Sequence, residues 1–234
     1  MSAKEKIALD CDKLGIHEIN LAIRKAATDG IKTVEILHPM ARHNLGVAIT
    51  DPIHLVYKGD VGYYAVSLSD QVTAEIHGSA GWGIGDNLIR GEVIVHGNAA
   101  TAAAPSLRGG TVVVKGSVGP RSAIGLKSGQ LVVGGGAGYM TGFFMQKGRL
   151  IICGDTGDAI GDSMYQGAIY VGGTIGSIGS GCRYADIDAA ERDELYATLD
   201  KYQIKAPKAF RKVESDHSLW HFDKKEFEVW KDVL

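Results

Sequence analysis

Two histidines stand nineteen residues apart, His77 and His96, each closing an apolar run in "TAEIHG" and "EVIVHG". Imidazoles at one repeated position of neighbouring strands would stack about 4.8 Å apart, a spacing compatible with a shared metal ion. Two ligands make a weak site, and a pair of surface histidines is the plainer reading. The triplet Arg42, His43 and Asn44 in "PMARHNLG" is the densest polar group of an otherwise apolar region. It suits anion binding, orientation of a partner loop, or ordinary backbone hydrogen bonding. Gly154, Gly157 and Gly161 in "GDTGDAIGD" have the look of a phosphate cradle. A dinucleotide fingerprint, however, needs its glycines in a strand-to-helix turn, and each glycine cluster here leads to another strand. "GLKSG" lacks the preceding glycine of a Walker motif, and Asp155, Asp158 and Asp162 do not recur in other copies as a calcium repeat would require. Cys11, Cys153 and Cys182 form no C-x-x-C pair and have no histidine at zinc spacing. Cys153 shares the histidine column but has no base near it in sequence, so nothing marks a nucleophile. The residues therefore point to corners rather than to a nucleotide site, with no catalytic, cofactor-binding or metal residue expected.

What positions these residues is a repeat. In steps of nineteen, "HLVYKG", "TAEIHG", "EVIVHG", "TVVVKG", "QLVVGG", "RLIICG" and "AIYVGG" align from residue 54 to residue 173 without an insertion. Each ends on glycine: Gly59, Gly78, Gly97, Gly116, Gly135, Gly154 and Gly173. Three residues later the column is always Gly or Ala, and Gly91, Gly110, Gly129, Gly148 and Gly167 precede the next strands. Short β-branched strands separated by glycine corners at a fixed period near twenty indicate a solenoid. Helical repeats are excluded, because the glycine density is too high and no ten-residue stretch keeps a 3.6 period. The reading is an all-β parallel β-helix of about seven 19-residue coils, roughly 29 Å long, over residues 54–183.

Alternation sorts the strand faces. The columns beginning at Leu55 and Tyr57 are apolar in all seven copies and should point inward. Of the outward columns, one runs Lys58, His77, His96 and Lys115, while the other contains Ile94, Val113, Val132, Ile151 and Tyr170. An apolar ladder on an outer face needs a cover. A partner subunit would make these five residues an interface; the alternative is this chain's own tail from Lys205 onward.

Residues 1–53 read as a cap and lead-in, with Ile16, Ile19, Ile23 and Ala27 on one helical face ending at Gly30. Residues 184–234 read as a partly helical docking tail. Asp188 as N-cap with Glu191 three later opens a helix whose Leu195, Leu199 and Tyr202 share a face. Further on, Trp220 and Trp230 are candidates for docking. Twenty-five basic against 27 acidic residues leave no global field for nucleic acid or anionic membrane. With no signal-like amino terminus or spanning apolar run in this sequence, a cytoplasmic location is expected.

The spacing G-x-x-G-x-x-x-G, as in Gly78-Gly81-Gly85, Gly135-Gly138-Gly142 and Gly154-Gly157-Gly161, resembles the GXGXG domain that ends the large subunit of glutamate synthases. The resemblance covers roughly residues 10–183 and includes "HEINLAIRKA", "RHNLGVAI" and "KGDVGYY". It implies a right-handed β-helix. The tail resembles that of the separate subunits in glutamate-synthase-like complexes, above all the N-methylglutamate synthase group. That resemblance implies a scaffold subunit, not catalytic alone, beside a glutamine-amidotransferase-like subunit and a subunit carrying FMN and an iron–sulfur cluster. The glycine-rich β-helix of formylmethanofuran dehydrogenase is also similar. A β-helix acyltransferase, from another class, would need hexapeptide repeats of period eighteen and a histidine in an inserted loop, and neither is present.

Overall fold

The computed structural model of the chain describes residues 5–216. Its elements are β1 (Lys6–Asp10), α1 (Ile16–Thr28), β2 (Thr33–Leu37), β3 (Ile53–Lys58), β4 (Val72–Ile76), β5 (Gly91–Val95), β6 (Thr111–Val114), β7 (Gln130–Val133), β8 (Arg149–Ile152), β9 (Ala168–Val171), β10 (Cys182–Ala185), α2 (Ala189–Lys201) and β11 (Arg211–Ser215). They build one eleven-stranded sheet in the order β1 to β9, then β11, then β10.

From β3 to β9 every pairing is parallel at a constant offset of nineteen. Leu55 lies against Ala74, then Val93, Val112, Leu131, Leu150 and Ile169 in succession. A second ladder of single bridges repeats the offset just past the corner glycines, from Val61 through Ala80, Ala99, Val118 and Ala137 to Thr156 and Ile175. The chain is therefore a β-solenoid of about seven turns, as the repeat predicts. Both inward columns are almost completely buried and form one continuous core.

The lead-in segment adds its own strands to this sheet. β1 and β2 pair in parallel across α1, and β2 pairs with β3. Helix α1 buries Ile19, Asn20, Ile23 and Ala26 against the open end of the first coil. Asn20 accepts a hydrogen bond from Gly46 N–H at 2.7 Å and donates one to the Asn44 carbonyl at 2.8 Å, which fixes the helix to the turn below it. At the other end the parallel winding stops: β11 inserts antiparallel between β9 and β10.

The glycine columns answer to two different constraints. Gly154 has no left-handed φ; a Cβ there would lie 2.8 Å from the carbonyl carbon of Gly135 in the coil before it, so crowding alone demands glycine. Gly148 adds a φ of +100°, and its Cβ would come 2.5 Å from the Gly129 carbonyl oxygen. The position of Gly85, Gly142 and Gly161 is different again, since Val66, Ala104 and Ala123 adopt the same left-handed turn there.

A polar column completes the corners. Asp60, Ser79, Asn98 and Ser117 each accept a hydrogen bond from the backbone N–H one coil further on, at 2.7 to 3.2 Å, and Asp155 does the same for Thr174. These side chains satisfy N–H groups that the turning backbone leaves outside the strand ladder.

Candidate functional site

The outer face of the sheet divides into a covered and an open half. Over β6 to β9, α2 lays Leu195, Leu199 and Tyr202, followed by Ile204, on the ladder of Val113, Val132, Ile151 and Tyr170. All four ladder residues are buried, and Ile94 is half-buried at the margin. The expected partner interface on these five residues is thus occupied by the chain itself. Its cover is α2 with Ile204, mostly upstream of the tail beginning at Lys205.

The helix is held there as the sequence requires. Asp188 accepts from Glu191 N–H at 2.8 Å, and Glu191 reciprocates on Asp188 N–H, closing a capping box. The other oxygen of Glu191 accepts from the Tyr170 hydroxyl at 2.9 Å and from Lys212 at 2.6 Å. Lys212 holds the Glu191 carboxyl below the ordinary carboxylate range. Arg149 reaches Glu194 and Thr198, and Tyr202 with Lys201 ties the far end to Glu92.

Over β2 to β4 the same face is free of α2 and carries charged side chains. Glu35 lies between Lys6 at 2.8 Å and Lys58 at 3.4 Å. Two strands on, Glu75 accepts from His96 Nε2 at 2.7 Å and lies 3.7 Å from His77 Nε2. The two imidazoles stack at 4.9 Å with planes 10° apart, close to the spacing expected from their period. The hydrogen bond from His96 lowers the Glu75 pKa, against a smaller opposing effect of burial. His77 and His96 thus come together as anticipated, and Glu75 is the member that sequence reading passed over. Its signal was present: it lies two residues before His77, on the same strand face.

A second polar cluster joins β1 to the end of β2. His38 Nδ1 lies 3.0 Å from Asp10 and 3.3 Å from Asp12, and the hydrogen bond from His38 is the chief reason the Asp10 carboxyl is lowered to about 2. Sequence gave no hint of it, because these strands pair across a helix and outside the period.

The triplet disperses into structural roles and one surface feature. Arg42 donates to the Leu14 carbonyl at 3.0 Å, and Asn44 takes a left-handed turn with φ 58°. His43 accepts from Tyr63 N–H at 2.9 Å and stacks on Tyr63, which stacks in turn on Trp82. Tyr63, Trp82, Tyr139 and Phe144 are exposed along the turns of this side. The motif glycines Gly78, Gly81, Gly85, Gly135, Gly138, Gly142, Gly154, Gly157 and Gly161 all occupy corners, with atoms of other coils within 4 Å of any added Cβ. Trp220 and Trp230 lie outside the described residues.

Burial pushes the Cys153 and Cys182 thiols up to about 11, which leaves them protonated near neutrality and poor nucleophiles. A groove of about 520 Å³ between β10, α2 and β11 is lined by Tyr184, Asp186, Arg192, Tyr196, Lys208 and Arg211. Tyr196 crosses it to the Pro207 and Lys208 carbonyls. Among the described residues no helix is long and apolar enough to cross a membrane.

Fold and faces define a glycine-cornered parallel β-solenoid, capped at its start by a helix and covered along half of one sheet face by another. No protein-family profile matches the chain. It is similar to Protein GlxC of Rhizobium meliloti (strain 1021), with 37% identity over 60 residues. That match spans 26% of this chain and 26% of the relative, about a quarter of each.

Proposed function

We propose that this chain is the non-catalytic β-solenoid subunit of a glutamate-synthase-like complex, of the type in which methylamine and glutamate give N-methylglutamate and ammonia. On this reading it is the counterpart of the B subunit of N-methylglutamate synthase. Its partners are a glutamine-amidotransferase-like subunit and a subunit that carries FMN and an iron–sulfur cluster. The observation that carries the proposal is the unbroken nineteen-residue solenoid built on G-x-x-G-x-x-x-G corners. The partial similarity to GlxC supports it.

With the apolar ladder filled by α2, assembly falls to other surfaces. The turn side offers His43, Tyr63 and Trp82 as exposed stacked rings, large rigid contacts of the kind that anchor interfaces.

Co-expression with candidate partner genes, followed by size-exclusion chromatography, tests the proposal. A complex should elute with flavin absorbance and convert labelled methylamine to N-methylglutamate, while the isolated chain should not. Tyr63→Ala with Trp82→Ala should weaken assembly and leave circular dichroism unchanged. Failure to co-elute with any flavoprotein, or turnover by this chain alone, would sink the proposal. Co-purification of a molybdenum or tungsten protein would instead favour the formylmethanofuran dehydrogenase scaffold.

A further inference from the structure

We infer that Glu75, His77 and His96 form a binding site for one zinc-class divalent cation, open to solvent on the uncovered half of the sheet. The ligand atoms of the three side chains all lie within 4.8 Å of one another. Their backbones are fixed by parallel pairing, Glu75 against Ile94 and Ile76 against Val95, and by the N–H of His77 on the Tyr57 carbonyl and that of His96 on the Ile76 carbonyl, both at 3.0 Å. Two neighbouring coils therefore present the donors from a rigid frame, and only side-chain torsions remain to be set.

The adjustment needed is small. Bonds of about 2.0–2.1 Å from a tetrahedral zinc ion put neighbouring ligand atoms about 3.3 Å apart. The Glu75 oxygens already lie 2.7 and 3.7 Å from the two Nε2 atoms. The imidazoles must tilt toward each other, and side-chain exposures of 40% for His77, 33% for His96 and 34% for Glu75 leave room for it.

The donor set selects the ion. Two imidazoles and one carboxylate suit zinc and its neighbours, whereas calcium and magnesium take oxygen ligands. Three protein ligands leave a fourth position free for water or an incoming anionic group, the arrangement of an open rather than a closed structural site. Within the cluster, the cation would replace the proton through which His96 bonds to Glu75. Of the two lysines that flank the histidines in this column, Lys58 on the preceding coil is engaged by Glu35, and Lys115 lies one coil beyond His96. The cluster of Asp10, Asp12 and His38 is a poorer candidate, because Asp10 also binds Lys13 and the N–H of Asp12.

The site does not depend on the proposed assembly and is tested on the full chain alone, freed of any affinity tag and stripped with chelator. Titration with cobalt(II), followed by its visible absorption, and with zinc by calorimetry should give one equivalent bound. His77→Ala, His96→Ala and Glu75→Gln should each weaken binding about tenfold or more, since even outer-shell losses cost ~10–100-fold. Asp10→Asn should leave it unchanged. In the unaltered protein, zinc should shift the imidazole nitrogen resonances of His77 and His96 ahead of the other histidines, a readout independent of any variant. The inference is overturned if the chain binds neither metal, if binding survives in the His77→Ala/His96→Ala pair, or if Asp10→Asn abolishes it.

Discussion

The outer face of the sheet is one surface with two characters. Along β6 to β9 its central column is Val113, Val132, Ile151 and Tyr170, and α2 lies over it; along β2 to β4 the same column is Glu35, Val56 and Glu75, in a region that carries ion pairs. Beneath both halves the inward columns are equally apolar and equally buried. The coil is thus specified from inside and at its corners, while the outer column is free to follow whatever lies against it. An apolar outer ladder in a solenoid reports a cover, and the cover can belong to the same chain.

The largest test places a charge in each half. Val132→Asp strands a carboxylate beneath α2 with no partner, and about 3–5 kcal/mol should be lost in urea denaturation. Thr33→Asp on the open half, paired between Lys6 and His54, should change stability by about 0.5 kcal/mol or less. A charge on the ladder harms the fold itself, because the ladder is interior rather than a partner interface. Equal losses at the two positions would erase the distinction between the halves.

Truncation in the covered half comes next. Val113→Ala should cost about as much as Val114→Ala, within a range of about 1–4 kcal/mol, since neither residue has any exposed surface. Ile94→Ala, at the edge of the cover, should cost less than Ile151→Ala. A Val113→Ala loss near zero would mean that α2 leaves the ladder in solution.

Gly154→Ala tests the corners common to both halves. The added methyl meets the preceding coil, and overpacking of this kind costs about 1–3 kcal/mol. A melting temperature equal to the unaltered chain's would refute crowding as the reason for glycine there.

Asp188→Ala removes a reciprocal cap and should cost about 0.5–2 kcal/mol, weakening the cover without touching the ladder. Protection of α2 amides from hydrogen exchange should fall first.

The smallest effect is the pH response of the open half. Asp10 is depressed from 3.8 to about 2, so its contribution is present above pH 3.8 and lost as pH falls toward 2. His38 is raised above 6.5 by its hydrogen bond to Asp10 and the charge of Asp12; its contribution is full below pH 6.5 and fades as pH rises through the raised value. His38→Asn should flatten this shallow maximum in stability between roughly pH 4 and 6.5. An unchanged profile would remove the pair from the account.

The solenoid was legible because each coil states the same requirement again. The Leu55 and Tyr57 columns, the corner glycines and the capping box at Asp188 and Glu191 are local or periodic signals, and all reappear in the structure. The cover on the ladder is neither local nor periodic. Leu195 and Leu199 share a helical face, but nothing in their spacing says which surface they meet. Glu75 was within reach, two residues from His77, yet it interrupts an otherwise apolar column and was passed over as an exception. The pairing of Asp10 with His38 spans 28 residues and one helix, which no repeat discloses.

The antiparallel insertion of β11 bears on more than the shape of one end. A parallel coil exposes along its last strand a row of N–H and C=O groups that would accept a further coil, its own or another molecule's. β11 takes that row on β9 and passes outward the antiparallel strand β10, with Arg183 paired to Glu214 at 2.8 Å. It therefore closes to a further parallel coil the edge of β9 on which one would otherwise stack. Deleting β11 should turn a discrete particle into filaments that lengthen with protein concentration.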